Sequence, residues 1–302
     1  MKKIFAIILT AAVALALAAC GGSGGNTGGN TKPKTIAEDT NLFGMSFVPP
    51  EGYETVERFI DRTEDGTISE KDISFYFADG TTLGFAYATG LGITEADLSS
   101  YETKTVADKT FYLIESGSTL NALALAGGDV LYGISFDSED EGQKELFEKA
   151  LEGLSFTDSK EAAVDDEDLF GIRYSLEGLG KVASSYISAE ETPTGELKEK
   201  TIMWRFGTDA DNIDYRFYIC VYKNTTMEEK RSESKTYEEQ EINGITYTVA
   251  IPDDEEPYEY YVQHGEDLYQ IRNAGTSSGW WTSRSDASVV AFQIFLKSIS
   301  FE

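Results

Sequence analysis

Four short blocks occur twice in this chain, in the same order, and that recurrence narrows its folds more than any single motif does. Leu42-Phe43-Gly44-Met45 returns as Leu169-Phe170-Gly171-Ile172, and Asp108-Lys109-Thr110-Phe111-Tyr112 returns as Asn243-Gly244-Ile245-Thr246-Tyr247. Asp129-Val130-Leu131-Tyr132-Gly133-Ile134 matches Glu266-Asp267-Leu268-Tyr269-Gln270-Ile271, and Leu151-Glu152-Gly153-Leu154-Ser155-Phe156 matches Leu296-Lys297-Ser298-Ile299-Ser300-Phe301. The offset grows along the chain from 127 to 135, 137 and 145, as insertions confined to the loops of a duplicated unit would make it. Two copies form a tandem pair, too few for a solenoid. One unit is expected over 38–157 and the second over 169–302, joined by an acidic linker over 158–168 with little apolar content of its own.

Within each unit the apolar period is mostly two. Ile73, Phe75 and Phe77 share one face of a strand, as do Ile213, Tyr215, Phe217, Ile219 and Val221. Turns are expected at Ala78-Asp79-Gly80, Gly127-Gly128-Asp129, Asn243-Gly244 and His264-Gly265, because Asn, Asp and Gly tolerate positive φ. Near the end of each unit the period becomes helical, at Leu146, Phe147, Ala150, Leu151 and Leu154 and at Ala291, Phe292, Phe295, Leu296 and Ile299. The expected fold class is α+β: two tandem domains, each a twisted antiparallel sheet with one C-terminal amphipathic helix on one face. This succession, ending on Leu-x-Gly/Ser-Leu/Ile-Ser-Phe, resembles the PsbP-like α/β sandwich found in many secreted bacterial lipoproteins. The resemblance implies that fold and carries no functional residue with it.

Met1-Lys2-Lys3 and the apolar run from Ile4 to Ala19 have the form of a secretory signal, too short to span a bilayer comfortably. The run closes on Leu17-Ala18-Ala19-Cys20, which resembles the lipobox of bacterial lipoproteins at all four positions. The resemblance implies that 1–19 is removed, that the Cys20 sulfur is lipidated, and that the protein is exported and held on the outer side of the cell membrane. Two acyl chains give lasting attachment where one does not. Residues 20–37 then form the tether, Gly-rich from Gly21 onward, with a reach of about 20–25 Å.

Acidic residues outnumber basic ones 53 to 25, for a net charge of −28. Such a chain repels nucleic acid and bare anionic membrane, and leaves cations and basic polypeptides as electrostatically acceptable partners. A monomer is expected. With Cys20 lipidated, Cys220 has no disulfide partner and reads as strand packing. The single histidine, His264, sits beside Gly265 in an expected turn. The chain has no Gly-x-Ser-x-Gly elbow, His-Glu-x-x-His motif or phosphate-binding Gly-x-x-x-x-Gly-Lys loop, so those hydrolase and nucleotide chemistries lack their parts.

Two constellations remain. Asp61 to Asp72 resembles an EF-hand calcium loop at Asp61, Asp65, Gly66 and Ile68, but Thr63 and Asp72 stand where stronger ligands belong, and a hairpin turn accounts for the same residues. Calcium at Asp61, Asp65 and Asp72 would make the protein a stabilised spacer. Trp280 and Trp281, on a small-residue loop next to Tyr258, Tyr260 and Tyr261, offer a flat aromatic platform for a glycan or an envelope protein, or else they plug the core. The expected function is a non-catalytic binding module of the cell envelope. The alternative is an extracellular glycan hydrolase using paired carboxylates, which any chain this acidic has the residues for.

Overall fold

The computed structural model describes residues 35–127, 129–138, 144–157, 168–208, 213–251, 258–274 and 286–302. The signal, the lipobox and most of the tether therefore lie outside the described residues, as do most of the linker and the Trp280-Trp281 loop. No helix among the described residues is long and apolar enough to cross a membrane.

Two short strands, β1 (Asn41–Leu42) and β2 (Met45–Ser46), precede the hairpin of β3 (Thr55–Thr63) and β4 (Ile68–Tyr76) and then β5 (Thr82–Thr89). A segment carrying the single turn α1 (Glu95–Leu98) crosses to β6 (Glu102–Val106), and the chain returns through β7 (Lys109–Ser116), β8 (Thr119–Leu125) and β9 (Val130–Asp137). Helix α2 (Lys144–Glu152) and the short strand β10 (Ser155–Phe156) follow. After β11 (Ile172–Arg173), the second half runs β12 (Val182–Glu191), β13 (Leu197–Thr208), β14 (Ile213–Tyr222), α3 (Met227–Lys230), β15 (Thr236–Ile242), β16 (Ile245–Ile251), β17 (Glu259–His264), β18 (Asp267–Ala274), α4 (Asp286–Ser298) and β19 (Ser300–Phe301).

Fourteen of these strands make one antiparallel sheet in the order β15-β16-β17-β18-β14-β13-β12-β3-β4-β5-β9-β8-β7-β6. Outward from the central β12–β3 pair, both halves follow the same path: three strands in sequence order, a crossing to the edge, and a return. The centre is an unbroken ladder from Thr63↔Ser184 to Val56↔Glu191.

This architecture corrects the expected fold class. The protein is mainly β, and its strands do not divide into two α+β sheets of the PsbP-like kind. β3 and β12 carry the alternation of strands with one apolar face, and each would leave a row of unpaired N–H and C=O groups at a sheet edge. Pairing with each other satisfies both rows and fuses the halves. The helices are subordinate: α1 and α3 have four residues each, and α2 has nine.

One face of the sheet, called here the helix face, holds two apolar clusters. Phe147, Ala150 and Leu151 of α2 pack with Phe75, Phe85, Ile134 and Phe136, while Phe292, Phe295 and Leu296 of α4 pack with Trp204, Phe217, Ile219 and Ile271. Phe295 and Leu296 are fully buried, and burial of such a side chain stabilises by about 1.5–3 kcal/mol. The recurring blocks have matching tasks there. Phe43 and Phe170 both adopt positive φ before a glycine (φ 51° and 56°), and their carbonyls accept hydrogen bonds from Tyr132 (2.9 Å) and Tyr269 (2.7 Å). Buried Lys71 donates to the Asn41 carbonyl at 3.2 Å, and buried Lys200 to the Asp168 carbonyl at 2.7 Å. Asn243-Gly244 forms the expected turn, with both residues at positive φ and Ile242 opposite Ile245.

The segment entering the fold lies on this same face. Ile36 is buried, its N–H donates to Glu191 Oε2 at 2.7 Å, and Asp39 takes the ammonium of Lys71 at 2.8 Å and the guanidinium of Arg58 at 3.4 Å. The arm thereby bonds to β12 of one half and to β3 and β4 of the other.

Candidate functional site

Among the described residues, the opposite face of the sheet has no long helix on it. It is covered near each end by a crossing segment: Ile93 and Leu98 of the β5–β6 crossing pack on Ile114, Leu123 and Leu131, and Met227 of the β14–β15 crossing packs with Tyr222, Tyr261 and Leu268. Between the crossings, the middle strands present polar side chains on what is called here the open face.

Direct cross-strand partners share a face, so the ladder register lays these side chains out in rows. Across β4, β3, β12, β13, β14 and β18, one row reads Asp72, Phe59, Ser188, Thr201, Cys220, Gln270, and the next reads Glu70, Asp61, Tyr186, Met203, Tyr218, Arg272. On one side of these lie Glu57, Glu190 and Glu199, directly opposite one another, and on the other side Ser184, Arg205 and Arg216. The open face is therefore acidic on β3 and β4 and along the Glu57-Glu190-Glu199 row, and basic where Arg205, Arg216 and Arg272 stand on β13, β14 and β18.

The acidic side is densely bonded. Tyr76 and Ser188 donate to Glu57 (2.7 and 2.5 Å), Ser69 donates to Asp61 (2.9 Å), and the Cys220 thiol donates to Glu199 (3.2 Å). Burial lifts the Glu57 carboxyl above the ordinary glutamate value despite those donors, with Glu190 adding repulsion. Burial likewise raises Asp61, Glu70 and Glu199. Asp72 is raised furthest, by burial first and then by Glu70 and Glu57, and its Oδ1 is buried with no hydrogen-bond partner. Burial pushes the Cys220 thiol up as well, so it is a packed, un-ionised group.

On the basic side, Arg272 lies over the Tyr218 ring, 4.5 Å from its centroid. Burial opposes its charge, and the hydroxyls of Tyr218 and Tyr186 outweigh that, leaving its pKa above the ordinary arginine value. Phe59 and Tyr186 stack obliquely at 5.2 Å in the middle of the face.

The residues singled out from sequence do not assemble into one site. Cys20, Trp280 and Trp281 lie outside the described residues. Tyr260 is buried on the helix face against Tyr247 and Phe292, whereas Tyr261 is buried on the open face, donating to Glu259 (2.7 Å) and accepting from Gln270 (2.8 Å). Tyr258 is 37% exposed. Adjacent strand residues point to opposite faces, so Tyr260 and Tyr261 cannot share a platform. Asp61 and Asp72 sit on the open faces of β3 and β4, while Asp65 is in the hairpin turn, accepting from Thr63 Oγ1 (2.6 Å) and Thr67 N–H (3.0 Å), which lower it to about 2. Among the described residues no group of three or more His, Cys, Asp or Glu side chains is placed to hold a metal ion. His264 stacks on Phe301 at 4.7 Å.

Sequence inspection missed Glu57, Glu70, Arg216 and Arg272. The signal was in the alternate positions of the strands: in β14, Arg216, Tyr218, Cys220 and Tyr222 interleave with the core residues, where solvated side chains would carry fewer rings and no thiol.

No family model matches the chain. No curated protein matches it either. Among solved structures, one titled "Crystal structure of MucB in complex with MucA(peri)" aligns with 83% of this chain and 93% of that chain, at 11% identity and a TM-score of 0.20. A likeness this loose defines neither fold nor function.

Proposed function

We propose that this is a lipid-tethered binding protein of the bacterial cell envelope, non-catalytic, which engages its partner on the open face between the two crossing segments. One observation carries this: the middle of that face concentrates buried and half-buried charges, rings and hydroxyls that no helix among the described residues covers, whereas the helix face is built on two large apolar clusters. A stretch of sheet meant only to be solvated has no need of Asp72 Oδ1 or Arg216 Nε, both buried without a partner. Export and anchoring are supported by the resemblance of Leu17-Ala18-Ala19-Cys20 to a lipobox. Descent of both halves from one duplicated unit is supported by the paired roles of Phe43 and Phe170, Tyr132 and Tyr269, and Lys71 and Lys200.

A photo-crosslinking side chain placed at Ser188, in the middle of the open face, should give a discrete adduct in intact cells. The same group at Val290, exposed on α4, should not. Adducts only from Val290, or from neither position, would remove the open face as the contact surface. Replacement of Cys20 by Ala should move the protein from the membrane fraction to the soluble one.

A further inference from the structure

We propose that Arg216 and Arg272 form an oxyanion-binding site on the open face, with Arg205 beside them. This rests on the open face being the contact surface and adds the chemistry of one group of the ligand.

Arg205 and Arg216 are direct cross-strand partners on β13 and β14, and Arg272 on β18 is the diagonal neighbour of Arg216. Direct partners stand about 4.5–5.5 Å apart at Cβ and diagonal ones about 7–8 Å, so the three arginines rise from one small area of the face. Like charges directly opposite are destabilising. In a chain with twice as many acidic as basic residues, each arginine has many carboxylates to pair with. Yet among the described residues neither Arg216 nor Arg272 forms an ion pair with a carboxylate. Glu259 is the cross-strand partner of Arg272, but its Oε2 is taken by Lys235 at 2.9 Å and by Tyr261. Arg216 Nε is buried with no acceptor.

A guanidinium presents N–H donors in a flat fork, and its strongest partners are the paired oxygens of a carboxylate or phosphate. Two forks from adjacent strands, one of them backed by the Tyr218 ring, make a preformed clamp for such a group. The acidic side of the same face favours neutral or cationic groups on the rest of the ligand beyond its oxyanion.

The test uses the chain from residue 21 onward, with Arg modification by phenylglyoxal read by peptide mass spectrometry. Probes are inorganic phosphate and acetate, each against chloride at constant ionic strength. With either anion at ten times its Kd, modification at Arg216 and Arg272 should slow about tenfold, while exposed Arg173, paired with Glu302, is unaffected by comparison. Protection by phosphate alone identifies a phosphate-bearing ligand, and protection by acetate identifies a carboxylate. Unchanged rates with both anions, or equal slowing at Arg173, overturn the proposal. The double variant R216Q/R272Q should lose any saturable rise in melting temperature that phosphate gives the parent chain. If that rise survives in a folded variant, the site is elsewhere. Loss of anion binding together with retained crosslinking at Ser188 would remove this clamp and leave the open face as the contact surface.

Discussion

Ile60 and Ile187 lie directly opposite each other at the middle of the sheet, and they are also counterparts: the offset between them, 127, is the one that separates Leu42 from Leu169. The central ladder thus pairs a residue with its own equivalent, as an approximate two-fold axis between β3 and β12 requires. Both are buried, at 1% and 4% exposure.

With the halves sharing this ladder, they should unfold together. Ile187→Ala is expected to destabilise the whole chain by about 2–5 kcal/mol. Calorimetry should show one transition shifted as a unit, with the van't Hoff enthalpy equal to the calorimetric one. Two separated transitions would mean that the ladder does not couple the halves.

The two Tyr-to-carbonyl bonds should be interchangeable in strength. Tyr132→Phe and Tyr269→Phe each remove one hydroxyl donor and should each cost about 0.5–1.5 kcal/mol in urea denaturation. Hydrogen exchange should report local loosening, at β1–β2 in the first case and at β11–β19 in the second.

Lys71 is wholly buried against Asp39. Asp39→Ala removes the buried carboxylate that Lys71 and Arg58 share and should cost about 3–5 kcal/mol, whereas Asp39→Ala combined with Lys71→Met should recover the part of the loss that belongs to Lys71. Denaturant midpoints of the single and double variants decide it.

Glu57, Asp61, Glu70, Asp72 and Glu199 all have raised carboxyl pKa values in the folded state, chiefly through burial. A raised folded pKa means that the folded state binds protons more tightly than the unfolded one. The associated stability is complete below the ordinary values of 3.8 and 4.5 and is lost as pH rises through the folded values. The melting temperature should therefore climb as pH falls from neutrality toward about 5. Asp65, lowered to about 2, acts in the opposite sense, but only below 3.8. Asp72→Asn imitates the protonated form and should raise stability at neutral pH while flattening the climb. A profile that is already flat in the parent chain would contradict the burial of these groups.

Arg216→Met should stabilise the anion-free protein, by about 1–3 kcal/mol, because it removes a buried donor that has no acceptor. A fall in the chemical denaturation midpoint would instead show that Arg216 supports the sheet.

Local features were legible in the sequence because short-range physics sets them. The apolar stripe of Phe292, Phe295 and Leu296 marked α4, and Asn243-Gly244 marked its hairpin. The joining of β3 to β12 was not legible: alternation in Thr55–Thr63 and Val182–Glu191 shows which residues face inward but is silent on which edge each strand meets. That omission turned one mainly β sheet into two expected α+β domains. Tyr260 and Tyr261 could have been separated in advance, since neighbours on a strand face opposite ways. For Arg216 the one signal was its company of Tyr218, Cys220 and Tyr222 at alternate positions of β14, because an alternate polar position by itself looks the same whether it meets water or lines a buried floor.

The arm ending at Asp39 has an orienting effect. On the proposed attachment through Cys20, the arm, fastened at mid-sheet on the side of Lys71, Arg58 and Glu191, brings that side nearest the support. Arg216, Tyr186 and Asp72 then look outward, toward whatever diffuses past.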